Sequence, residues 1–265
     1  MEKNVADIEL NTREAGEGDT ILFIHGFPFD GALWERQLAA LPPGWRGLAP
    51  DLRGFGQSPM GNESVHSMEL LADDLAALLR GRGVEEAVIC GLSMGGYVAF
   101  ALRRRHPELV RALVLADTRP GADSAEGRQN RERLAGAVRT EGVAPVVNAM
   151  LPKLVSMATR VERPQVVEEI RAMMERQPPE GVARALLGMA GRPDAGPGLS
   201  RIDEPVLVLV GEEDAITPRG EAQLMARAIR GARIEIIPEA GHVSNLEAPD
   251  AFNRALAGFL NGVRG

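Results

Sequence analysis

AVICGLSMGGYVAF, residues 87–100, sets a serine among three glycines, Gly91, Gly95 and Gly96, with an apolar run before it and a helical pattern after it. Glycine weakens strands and helices and is used where a backbone turns tightly or is closely approached. A strand that turns at once into a helix strains its corner residue, and small residues two positions before and after keep the two arms apart. Ser93, at the corner of Gly91-Leu92-Ser93-Met94-Gly95, then projects its hydroxyl above the end of a sheet, at the start of a helix. A plain glycine-rich turn is the alternative reading.

Outward from that corner, strand-length apolar runs recur: TILFIHG (20–26), RGLAPD (46–51), AVICG (87–91), RALVLAD (111–117), PVLVLVG (205–211) and ARIEIIPEAG (232–241). Continuous rather than alternating apolarity marks strands buried on both faces, hence a parallel sheet. Amphipathic stretches over 31–41, 67–82, 94–106, 218–230 and 249–261 read as helices, several opened by cap-like residues: Asp30, Ser67, and Thr217 before Pro218. The alternation predicts an α/β fold: a mostly parallel central sheet with helices on both faces and ligands at the carboxyl ends of the strands.

Residues 119–200 break the rhythm. They hold no strand run, carry the breakers QPPEG and GRPDAGPG, and otherwise read as short helices. We therefore expect a core of residues 1–118 and 201–265 with a helical cap, 119–200, inserted between. No aromatic residue lies between Phe100 and Phe252, whereas Met150, Met157, Met173, Met174 and Met189 all fall in the cap. Methionine fills irregular apolar space adaptably, so these residues either roof a tolerant pocket or pack the cap helices together.

A chain of 265 residues suits one core. Its formal net charge is −7, with arginines scattered between acids and lysine only at Lys3 and Lys153. No basic stripe neutralises phosphates, which argues against a nucleic-acid partner. The single cysteine, Cys90, excludes an intramolecular disulfide, and the four dispersed histidines supply no zinc-ligand spacing, so no metal is expected. MEKNVADIEL lacks an apolar signal core, and runs such as ILFI and VLVLV are far below the roughly 20 residues that span a bilayer. A cytoplasmic location without membrane association is the expectation.

A serine hydroxyl becomes a nucleophile only with a base beside it, and that base needs a group that fixes its tautomer and stabilises its cation. Of the histidines, only His25 and His242 fall at strand ends. His106 ends the helix before Pro107, and His66 reads as part of a solvated polar loop. For the third member, Asp214 in VLVLVGEEDAITP is favoured over its neighbours Glu212 and Glu213, with Asp117 at the end of RALVLAD as competitor. Cys90, inside a buried strand, reads as an inert core thiol.

With these residues assembled, the chain resembles the α/β-hydrolase fold superfamily, serine-hydrolase branch. The resemblance runs from ILFIHGFPFD through DLRGFGQS, GLSMGG and GEEDAITP to EAGHVSNLEAPDAF, in the superfamily's order Ser93, Asp214, His242. HGFPFD and GHVSNLEAP are most similar to small bacterial carboxylesterases and enol-lactonase-like proteins. The resemblance implies an oxyanion hole made by the amides of Phe27 and Met94, leaving His25 to fix its loop. It also implies that Asp51 and Arg53 brace theirs, although Arg53 has the reach for a substrate carboxylate. Ser93 departs from the aspartate nucleophile of haloalkane dehalogenases and epoxide hydrolases. Tyr97, the only tyrosine, is not in the cap where epoxide hydrolases use tyrosines, and no lysine matches hydroxynitrile lyases. The leading strand is reduced to KNVADIEL before NTREAGEGD.

The implied activity is cofactor-free hydrolysis of a small-molecule carboxylic ester, with short to medium acyl chains. Its rivals are an enol-lactonase, with Arg128, Arg131 or Arg133 as cation for a substrate carboxylate, and a perhydrolase resembling cofactor-free haloperoxidases. A non-catalytic binding module is the rival of another class. Oligomeric state stays open at this level.

Overall fold

A computed structural model describes residues 8–264. Its strands are β1 (Thr12–Gly16), β2 (Asp19–Ile24), β3 (Trp45–Pro50), β4 (Ala87–Leu92), β5 (Val110–Ala116), β6 (Val206–Gly211) and β7 (Arg233–Ile237). They form one sheet in the order β1-β3-β2-β4-β5-β6-β7. β1 runs antiparallel to β3, with Thr12 opposite Pro50, and every other pairing is parallel. β4 and β6 are buried along their whole length, as their unbroken apolar runs require.

Two strand readings need correction. β1 lies in TREAG, a charged, half-exposed edge strand with no apolar run to reveal it. Residues 8–10 of KNVADIEL form no strand, and residues 3–7 lie outside the described region. β7 stops at Ile237 instead of running on to 241, because Pro238 has no N–H for the ladder and Glu239 takes φ 55°.

The helices are α1 (Glu35–Ala39), α2 (Met68–Gly81), α3 (Met94–Arg105), α4 (Ala125–Glu141), α5 (Ala144–Leu154), α6 (Met157–Glu162), α7 (Pro164–Glu175), α8 (Pro179–Ala190), α9 (Arg219–Ala228), α10 (Ser244–Glu247) and α11 (Pro249–Leu260). Ser67 caps α2 by accepting from the Leu70 N–H at 3.1 Å, and the helix buries Leu71, Leu75 and Leu79 one turn apart. Asp30 likewise accepts from Ala32 N at 2.9 Å, but the helix read at 31–41 opens as a 3-10 turn, Gly31–Trp34, before the short α1.

α4 to α8 all fall between β5 and β6, with α4 packed on α8 and α5 against α4 and α7. Met173, Met174 and Met189 are buried among these helices, Met157 is exposed, and Met150 lines a cavity described below. Among the described residues, no helix is long and apolar enough to cross a membrane.

Candidate active site

Ser93 links β4 to α3 with φ 54° and ψ −112°, in the left-handed region where a non-glycine residue costs on the order of 1–3 kcal/mol. Its N–H donates to Ala116 O at 2.9 Å, and its carbonyl accepts from Thr118 Oγ1 at 2.8 Å, so the end of β5 holds the corner in place. A Cβ on Gly91 would fall on the Gly95 carbonyl, and one on Gly95 on the carbonyl of Ile24. These are the close approaches that require glycine on both sides of the serine.

His242, in the loop after β7, places Nε2 2.8 Å from Ser93 Oγ. Its Nδ1 lies 2.9 Å from Asp214 Oδ2, in the turn after β6. An ionised carboxylate can only accept, so Nδ1 carries the proton and the bare Nε2 faces the serine hydroxyl. Asp214 Oδ1 accepts from Ile216 N at 2.8 Å and Thr217 N at 2.9 Å, and Oδ2 also accepts from Thr217 Oγ1 at 2.6 Å. Thr217 is therefore no helix cap: α9 begins at Arg219 after Pro218, and the hydroxyl serves Asp214 instead. Its signal was the Asp-x-x-Thr spacing, which allows the aspartate to close a local turn onto the threonine.

Burial pushes the Asp214 carboxyl up, but the His242 charge and these hydrogen bonds outweigh it and hold the carboxyl below its ordinary range. Burial likewise disfavours the His242 cation, yet Asp214, supported by Asp117 and Glu247, raises the imidazole above 6.5.

Asp117, at φ 45° just beyond β5, is fully buried but directed elsewhere. Its Oδ1 accepts from Gly211 N at 2.8 Å and its Oδ2 from Ser244 Oγ at 2.5 Å. Burial first, and the Asp214 charge second, push its carboxyl well above the usual range. The structure thus brings Ser93, His242 and Asp214 together and leaves Asp117 bracing the loops around them.

The main-chain amides of Phe27 and Met94 follow Gly26 and Ser93 in the chain. Gly26 abuts Ser93, a Cβ there lying 3.4 Å from that of the serine, and Met94 opens α3. Neither amide donates to a protein acceptor among the described residues. His25 is buried, its Nε2 accepting from Leu52 N at 2.9 Å while Nδ1 donates to Gly26 O at 2.9 Å. Asp51 accepts from Gly31 N, Gln57 N and Asn11 Nδ2, bracing the loop that follows β3. Arg53 is fully engaged by a fork onto Asp74, at 2.7 and 2.6 Å, and by Glu63.

His66 differs from its solvated reading. Residues 62–65 before it are exposed, but His66 itself is buried: its ring Nε2 bonds Met60 O at 3.1 Å, and its main-chain N–H donates to Arg184 O of α8 at 3.1 Å. Burial lowers its pKa to about 4. His106 ends α3 and bonds Asp73 at 2.8 Å. Cys90 is buried, which raises its thiol pKa well above the ordinary value. Tyr97 packs under the Arg192 guanidinium, 4.1 Å from the ring centre.

A cavity of about 470 Å³ runs from Phe27, Ala215 and Ile216 to Leu134, Met150 and Leu186, with Asn130, Arg131, Arg133, Ala149 and Lys153 completing its wall. Arg131 is bound to Asp123 at 2.5 Å, and the exposed Arg133 reaches only Asn130. Arg128 is exposed and lies outside this wall. No carboxylate lines the cavity.

A parallel sheet that carries a strained serine, a histidine and a carboxylate at the carboxyl ends of its strands defines the class of α/β-hydrolase-fold enzymes. The chain belongs to the alpha/beta hydrolase fold family, which it matches over residues 19–249. It is similar to a thermophilic esterase from Thermogutta terrifontis solved with malate bound, at 43% identity and a TM-score of 0.95, over 97% of this chain and 95% of the other. The enol-lactonase of Burkholderia xenovorans matches at 31% identity and a TM-score of 0.88, over 96% and 97%. The 3-oxoadipate enol-lactonase 2 of Acinetobacter baylyi is 29% identical, over 94% of this chain and 92% of its own length.

Proposed function

We propose that this chain is a serine carboxylic ester hydrolase. The observation that carries the reading is the Ser93 hydroxyl 2.8 Å from an imidazole whose other nitrogen is fixed by Asp214. Ser93 Oγ attacks the ester carbonyl as its proton passes to His242 Nε2, and the amides of Phe27 and Met94 receive the developing oxyanion. His242 then protonates the leaving alcohol, and the acyl group stays on Ser93. A water molecule, deprotonated by the same nitrogen, attacks the acyl-enzyme and releases the acid. Residues 119–200 act as a cap over this site, and the open cavity suits short to medium acyl chains.

The direct test is labelling with a p-nitrophenyl phosphonate, followed by hydrolysis of p-nitrophenyl esters of increasing acyl length. A phosphonyl adduct on the peptide containing Ser93, and turnover of the shorter esters, are expected. An unlabelled protein inert on every ester and lactone would leave the binding-module reading. Because the base must be neutral, kcat/KM falls as pH drops through the His242 pKa, which is raised. The acid limb of the pH profile is therefore expected above 6.5, not below it.

One observation favours a narrower second reading, in which the ester or lactone also bears a carboxylate. Arg133 and Lys153 stand in the cavity wall without an ion-pair partner among the described residues, in a protein of net charge −7. Replacing both with glutamine is expected to lower kcat/KM for a dicarboxylic acid monoester about 3- to 10-fold at low ionic strength, as expected for partly exposed charges. A neutral ester of the same length should be unaffected. Equal effects on both esters, or none, would exclude the narrower reading.

A further inference from the structure

Glu247 is fully buried at the end of α10, the short helix that follows His242. A buried carboxylate is expensive unless it is paired or hydrogen-bonded. No cation meets its oxygens among the described residues: the nearby Arg163 bonds the main-chain carbonyl of Glu247 and the hydroxyl of Thr159. Its Oε1 instead accepts from Gly241 N at 2.7 Å, and its Oε2 from Ser156 N at 2.8 Å. One carboxylate thus bridges two main-chain amides from distant parts of the chain: the residue just before His242, and the link between α5 and α6.

The two segments touch closely. A Cβ on Gly241 would lie only 2.9 Å from Ser156 N and from Val155 C. His242 N donates to Leu154 O at 2.9 Å, and Ser156 Oγ to Glu239 O at 3.0 Å. The loop from Glu239 to His242 is therefore held by residues 154–156, with Glu247 closing the contact from beneath.

We propose that Glu247 is a positioning residue for His242, its carboxylate tying Gly241 to Ser156 so that the imidazole is held against Ser93. The proposal rests on the hydrolase reading above. Two acceptor oxygens are needed at this spot, and only a carboxylate of glutamate length supplies both; glutamine offers one acceptor and turns an N–H toward the other amide. The charged groups acting on His242 are Asp214, Asp117 and Glu247. Burial raises the carboxyl of Glu247 itself, opposed by hydrogen bonds from Ser156, Thr159 and Gly241.

The test compares Glu247→Gln with Glu247→Asp, using p-nitrophenyl butyrate hydrolysis and an NMR titration of the His242 imidazole. The titration is run in the Ser93→Ala background, so that it does not depend on turnover. Glu247→Gln is expected to fold, to lose about 10- to 100-fold in kcat/KM, as small misplacements of reacting groups do, and to titrate His242 at lower pH. Glu247→Asp keeps the charge but is too short to bridge both amides. It is expected to lose kcat/KM with little change in the titration.

Should Glu247→Gln fail to fold, Glu247→Asp decides by the same readouts. The proposal is overturned if the folded variants keep kcat/KM within about twofold and leave the titration unmoved. It is equally overturned if the loss disappears on assay well below the thermal midpoint, which is how a purely structural role behaves. A wild-type protein inert on all esters would sink the hydrolase reading, while the titration would still report on Glu247.

Discussion

Ser93→Ala abolishes ester hydrolysis, with kcat lowered by about 10⁴- to 10⁶-fold, while the fold and the thermal midpoint are retained or improved. The magnitude follows from the role: without Oγ there is no atom to carry the acyl group, and what remains is acceleration from the oxyanion amides and substrate binding alone. Retention follows from position, since Ser93 is only partly buried and its side chain bonds nothing but His242. The measurement is active-site-titrated kinetics on p-nitrophenyl butyrate, with phosphonate labelling as the control. A variant that keeps more than about a tenth of the activity would mean that another group attacks the ester, and the serine mechanism would have to be given up.

Asp214→Asn and Asp117→Asn separate the two buried acids. For Asp214→Asn we expect a loss in kcat of about 10⁴-fold, because an amide can present an N–H to His242 Nδ1 and select the wrong tautomer. The turn would survive, as the asparagine oxygen can still accept from Ile216 N and Thr217 N. Asp117→Asn removes a carboxyl that bonds Gly211 N and Ser244 Oγ and makes no bond to His242, so a loss below about tenfold is expected. The Asp117 carboxyl is held well above the usual range, so it is largely protonated where His242 titrates, and the acid limb is expected to stay close to that of the wild type. A reversal of the two losses would make Asp117 the partner of the histidine.

What could be read in advance depended on whether the local sequence carried the cause. β2, β4, β5 and β6 are legible because burial on both faces demands unbroken apolar runs, and the corner at Ser93 because two backbone contacts leave no room for a Cβ at Gly91 or Gly95. β1 escaped notice because an edge strand needs no apolar run, and TREAG has none. Asp214 and Asp117 both follow buried strands, and the AITP that follows Asp214 is the local feature that favours it: there Ile216 and Thr217 close the turn that aims its carboxylate at the histidine. His66 reads as solvated because the four residues before it, 62–65, are exposed, while part of its cover comes from α8, more than a hundred residues away, where Arg184 O accepts from its main-chain N–H. Glu247 is hidden for a related reason: in EAGHVSNLEAP it looks like a surface glutamate, and although one of its two amide partners, Gly241, lies in that stretch, the other belongs to Ser156, 91 residues away.

The sheet order has a consequence for how this protein is made. Ser93 and His242 are 149 residues apart, and the base sits on the loop after β7, the most C-terminal strand and an edge of the sheet. Such long-range pairing forms late and slowly, after the loop entropy of the intervening chain has been lost. A chain still on the ribosome can hold its serine at a finished corner and yet have no base to activate it. The hydroxyl is thereby armed only in a completed molecule, and the return of activity after dilution from denaturant should report the docking of β7 rather than the collapse of the sheet around β4.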